Sequence, residues 1–195
     1  MCAMMNLVRH NVALVVGVLI GELIATAPAA VADPPSPLYQ LVDTAAQRLL
    51  TADPVAAFKW AKGGPIEDAA RAEQVLDSVG ADATSHGIDP HLVRRVFQDQ
   101  IHSTEGIEYI RFGQWKFDPA AAPTSAPDLS ESRAAIDVYN HAMVNEIATH
   151  QDSLKGPDCI AERDDAKTAV VAARQLDPLY QQALDVATRS YCETT

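Results

Sequence analysis

Apolar residues in this chain recur at intervals of three and four, and charged residues interrupt the stripes they draw. The first stripe runs Leu38, Leu41, Ala45, Arg48, Ala52, Val55, Lys59. The second holds Asp68, Arg71, Val75 and Val79; the third Val93, Phe97, Ile101, Thr104, Glu108 and Trp115. The fourth holds Leu129, Arg133, Ile136, Asn140, Met143 and Ile147. This is the period of helices with one buried face. Alternating β-branched runs are absent, and Ala, Leu, Gln, Glu and Arg dominate, so no strand is predicted. The fold class is all-α: a bundle of about six helices, antiparallel neighbours joined by short loops.

Punctuation places these helices. The first is predicted over 37–62, with a kink or an Asp53-capped restart at Pro54, whose ring clashes with the carbonyl of Leu50. Gly63-Gly64-Pro65 ends it. The second is expected over 66–86, the third from the Asp89-Pro90 cap to 117. The fourth starts at Asp128 or Ser130 and runs to about 155, the fifth opens at Asp158, and the sixth spans 178–192.

Charge on a buried stripe is costly unless opposite charge meets it. One Arg or Lys on such a stripe is ordinarily a long stem packed on apolar surface with its head in water. Four at once are harder to read that way. Arg48, Lys59, Arg71 and Arg133 outnumber Asp68 and Glu108, which leaves an excess of about two positive charges. A bound dianion balances it, and Arg suits carboxylates through paired N–H bonds.

The 195 residues carry a net charge of −11, a poor balance for nucleic acid or anionic membrane. The N-terminus reads as an export signal. Arg9 and His10 precede an apolar run from Val12 to Ile24, and Ala30-Val31-Ala32 offers a cleavage site before Asp33. Cleavage leaves 33–195 as a single domain with no membrane segment, secreted or periplasmic; an uncleaved anchor is the alternative. Cys159 and Cys192 remain. A bond between them closes a 33-residue loop, worth roughly 3–4 kcal/mol in the chain-entropy model; two free thiols are the other possibility. The mature histidines form no i,i+4 pair, so neither a metal nor another cofactor is expected. G-x-S-x-G and Gly-rich phosphate loops are absent.

The register R-x10-K-x8-D-x2-R (Arg48, Lys59, Asp68, Arg71), followed by Thr104 and Glu108, resembles the all-helical, type II class of chorismate mutase. The stretches Ala52–Trp60, Pro65–Asp68 and Thr104–Tyr109, with Arg133 and the Cys159/Cys192 pair, are similar to the exported branch of that class found in mycobacteria. The resemblance implies rearrangement of chorismate to prephenate. Arg48, Arg71 and Arg133 would hold the two carboxylates, and Thr104 would support one. Lys59 and Glu108 would donate to the ether oxygen, Glu108 in its protonated form. Asp68 would meet the ring hydroxyl. A homodimer and a Cys159–Cys192 disulfide are implied as well. Two positions depart from the family pattern: Ala72 follows Arg71 where cytoplasmic relatives have a carboxylate, and Val75 stands where exported relatives have Gln. The competing expectation is a non-catalytic exported helical module that binds a dicarboxylate or a protein partner.

Overall fold

Aspartate caps decide where half of the helices begin. The structure, a computed structural model, describes residues 36–125 and 128–192. The export segment expected over residues 1–32 lies outside them. Among the described residues there are eight α-helices and no strand. They are α1 (Tyr39–Leu49), α2 (Ala52–Lys62), α3 (Ala69–Ser85), α4 (Pro90–Phe117), α5 (Leu129–Thr149), α6 (Gln151–Lys155), α7 (Cys159–Arg174) and α8 (Pro178–Ala187). No described helix is long and apolar enough to cross a membrane.

The carboxylates of Asp68, Asp89, Asp128 and Asp177 accept from Arg71 N, His91 N, Ser130 N and Tyr180 N at 2.9–3.0 Å. Each such cap is worth about 1 kcal/mol. Pro90 and Pro178 follow two of these caps at the first helical position, where the missing N–H costs nothing. At the other end of α2, Gly63 takes φ 69°, a left-handed conformation that glycine adopts without strain.

α3 starts behind its Asp68 cap, three residues later than the expected 66; three further boundaries differ from expectation, and each has a physical cause. The first expected helix splits at Leu50-Thr51. Pro54 denies Leu50 its helical partner, so α1 closes with Leu50 N on Ala46 O at 3.0 Å. Thr51 then donates its hydroxyl to Arg48 O at 2.7 Å, and α2 restarts at Ala52 instead of from an Asp53 cap. The fourth expected helix is interrupted at His150, and the redirected chain brings Leu154 of α6 into the core, 2% exposed. The last helix stops at Ala187, not Cys192. The turns after it bury Tyr191 and bring Cys192 to Cys159, with which it forms a disulfide.

The core sits around α1 and α4. Leu38, just before α1, and Leu41, Val42 and Leu49 within it are fully buried, with Phe97 of α4, Met143 and Ile147 of α5, and Leu184 of α8. Each large apolar side chain buried in this way contributes about 1.5–3 kcal/mol before chain entropy is counted. α4 packs on α2, α3 and α8, and α1 on α5 and α7. This arrangement leaves the inner ends of α1, α2, α3, α4 and α5 facing one small space.

Candidate active site

That space is a cavity to which each of five helices contributes. Arg48 enters from α1, Val55 and Lys59 from α2, and Arg71, Ala72 and Val75 from α3. Ile101, Thr104, Glu105 and Glu108 enter from α4, and Ile136 from α5. Asp68, the cap of α3, and Thr51, at the α1–α2 break, complete the polar lining. Arg48 and Lys59 share a face because eleven residues are close to three turns, and the short break at Thr51 preserves that register.

Lys59 and Glu108 meet directly. The ammonium donates to Glu108 Oε2 at 2.8 Å and to the carbonyl of Ile66 at 2.5 Å. Glu108 is 1% exposed. Burial pushes its carboxyl up from an ordinary 4.5 to about 7, against the opposing pull of Lys59. Its neighbour on the cavity wall, Glu105, is also raised, chiefly by burial. A carboxyl poised near 7 carries a proton in a large fraction of molecules at neutral pH, and in that form it is a hydrogen-bond donor.

Arg48 is buried, and no carboxylate among the described residues touches it. Its Nε donates to Asn140 Oδ1 at 2.8 Å and its Nη1 to Gln100 Oε1 at 3.5 Å. Burial, and then the charge of Arg71, lower its pKa to about 10, so it is still a cation at neutral pH. Arg71 is more open. It donates to Gln74 Oε1 at 2.8 Å and to Asp137 Oδ1 at 3.2 Å. Thr104 donates its hydroxyl to Gln100 O at 2.9 Å, which leaves its oxygen at the wall of the cavity. With Glu108 protonated, Arg48 and Lys59 face the space as two cations, and no carboxylate among the described residues pairs with either. The site is suited to a small dianion and has a point between α2 and α4 where an ammonium and a carboxyl converge.

The chain can be placed among known proteins. Residues 39–109 match the model of the family described as chorismate mutase type II. A secreted chorismate mutase of Mycobacterium tuberculosis is 55% identical over 166 residues, covering 85% of this chain and 83% of that protein. The chain belongs to the chorismate mutase type II family. A secreted chorismate mutase of Mycolicibacterium smegmatis is 56% identical over 165 residues, 85% of this chain and 91% of that one. Among solved structures, a chorismate mutase from Burkholderia phymatum superposes with a TM-score of 0.77 at 27% identity, covering 82% of this chain and 98% of its own.

The matched family segment spans α1, α2, α3 and most of α4, and so it holds six of the seven residues that the sequence pattern nominates. Those six, Arg48, Lys59, Asp68, Arg71, Thr104 and Glu108, line the cavity. Asp68 does so while its carboxylate caps α3. The seventh, Arg133, is exposed on α5, one turn before Ile136, and is not part of the lining. Val75 is buried in the wall, and beside it Gln74 takes up Arg71. Sequence reasoning gave no role to Asn140, Gln100 or Asp137. The first two left a signal, as neutral polar residues on otherwise apolar helical faces. Asp137, exposed and next to Ile136, left none.

Proposed function

We infer that this protein is a secreted chorismate mutase that converts chorismate to prephenate. One observation carries the reading beyond membership of the family: Lys59 and the buried, high-pKa carboxyl of Glu108 converge at one point, beside a buried Arg48 that no carboxylate among the described residues neutralises. The reaction is intramolecular. One ether C–O bond breaks as a C–C bond forms, and no proton or electron leaves the substrate.

Arg48 and Arg71 take the two carboxylates, with Thr104 supporting one of them. Arg71 must turn from Asp137 towards the cavity to do so. Arg133 is exposed on α5 outside the lining, and a role for it as a third carboxylate ligand is supported by the family resemblance alone. Lys59 and protonated Glu108 donate to the ether oxygen, where negative charge grows in the transition state. Asp68 meets the ring hydroxyl through its backbone or its outer oxygen. Catalysis is selection of the compact reactive conformer together with fixed donors in a site shielded from water. Each such donor is worth roughly 3–4 kcal/mol by the standard of oxyanion-hole deletions.

Export through a cleaved segment 1–32, leaving 33–195 as a single domain, is supported by the charge and apolar pattern of the N-terminus and by the disulfide. A homodimer is supported by the family resemblance. A non-catalytic dicarboxylate-binding module explains Arg48 but gives Lys59 and Glu108 no reason to converge. The test is incubation of purified residues 33–195 with chorismate, with its loss followed by absorbance. Prephenate formation is expected, and a folded sample without turnover overturns the reading.

A further inference from the structure

Several other arginines in this fold are held by carboxylates. Arg174 is bound by Asp43, Arg111 by Asp53, and Arg94 by Glu73 and Asp77. Arg48 is the most buried of these, 5% exposed, yet its partners are two neutral amides and an aromatic ring. Asn140, itself 6% exposed, takes Nε at 2.8 Å. Gln100, fully buried, takes Nη1 at 3.5 Å, and its own Nε2 has no protein partner among the described residues. The ring of Phe97 lies 5.7 Å from the guanidinium carbon. A carboxylate of the same shape at position 140 would satisfy this buried cation better. The amide therefore gives up stability at this point, and in return the full charge of Arg48 stays available to whatever enters the cavity.

We propose that Asn140 is a positioning residue for the rearrangement: it fixes Arg48 through Nε, presents the remaining N–H groups to a substrate carboxylate, and does so without neutralising the cation. The inference rests on the chorismate mutase reading. Asn140 lies on α5, outside the family segment 39–109, and does not line the cavity. It acts only through Arg48. Gln100 steadies the same guanidinium from α4, from the opposite end of the fork.

A double-mutant cycle in residues 33–195 tests this, with folding of each variant checked by circular dichroism and thermal melting. In the wild-type background Asn140→Ala should lower kcat/KM by about tenfold, the equivalent of ~1.4 kcal/mol. In the Arg48→Ala background the same change should cost less than about threefold, because the residue through which Asn140 acts is gone. Asn140→Asp separates positioning from simple packing. It should raise the melting temperature while raising KM by about tenfold, since a new ion pair stabilises the fold and neutralises the anion-binding group. A merely structural Asn140 would move stability and activity together. Equal losses for Asn140→Ala in both backgrounds, or an unchanged KM for Asn140→Asp, overturn the inference. Wild-type protein without turnover would overturn the reading beneath it instead, so the two failures are distinguishable.

Discussion

Lys59 Nζ lies 2.8 Å from Glu108 Oε2, and the two differ sharply in access to water: the lysine side chain is 19% exposed and the glutamate 2%. The glutamate, not the lysine, therefore bears most of the desolvation. Its protonation state becomes the pH-sensitive element of the site.

The pH dependence of turnover follows from this. The Glu108 carboxyl sits at about 7 in the free protein, so kcat/KM should fall as pH rises through that value if, as proposed, the protonated form donates to the ether oxygen. A bound dianion disfavours ionisation further, so the corresponding fall in kcat should lie at higher pH. Glu108→Gln keeps a donor at every pH and should flatten both limbs. An unchanged pH profile in that variant contradicts the assignment.

The same group links stability to pH, with a sign that can be stated in advance. Its folded pKa is raised above the unfolded value of 4.5. The stability it contributes is therefore fully present below about pH 4.5 and is lost as pH rises through 7, a change of roughly 3 kcal/mol. Urea unfolding of wild type and Glu108→Gln at pH 4.5 and 8 measures it. The wild type should lose ground to the variant at the higher pH.

Reduction of Cys159–Cys192, which closes a loop of 33 residues, should cost roughly 3–4 kcal/mol of stability. The bond ties the start of α7 to the chain beyond α8, and neither α7 nor α8 lines the cavity. Activity of the reduced, still-folded protein should stay within about twofold of the oxidised form. Unfolding curves and initial rates with and without reductant decide both points.

Arg174 reaches from α7 to the buried Asp43 of α1, donating from both Nε and Nη2. Arg174→Ala leaves a carboxylate 8% exposed without its cation. The expected loss is about 2 kcal/mol, less than for a fully buried pair because the arginine itself is part-exposed. KM should not move, since neither residue lines the cavity.

Much of the fold was legible because aspartate, proline and glycine mark helix ends by local chemistry. Asp89-Pro90 and Asp177-Pro178 cap α4 and α8 as the sequence indicates. The ends that escaped reading, at His150 and Ala187, are set by tertiary burial of Leu154 and Tyr191, to which no local rule refers. The lining of the candidate site was legible for the same reason the charges drew attention: Arg48, Lys59 and Glu108 sit where apolar side chains belong. Asn140 stood equally out of place, but a neutral amide on a stripe has so many ordinary uses that it gained meaning only when Arg48 Nε was seen to end on it. Arg133 shows the converse. It shares the stripe of Ile136 and Asn140, yet one helical turn carries it past the edge of the cavity and into solvent. Arg133→Ala should therefore reduce kcat/KM less than Arg48→Ala does, mainly through KM and less at high salt.

The central claim is that the point where Lys59 and Glu108 converge drives the rearrangement. The most direct measurement compares the initial rate of chorismate consumption by purified residues 33–195 with that of the Lys59→Ala variant. Wild type should form prephenate, and the variant should lose about 10²–10³-fold in kcat. Its stability should fall by only about 1–2 kcal/mol, because Glu108 takes up a proton once its cation is gone. Turnover by the variant within a few-fold of wild type, in a folded sample, would contradict the account.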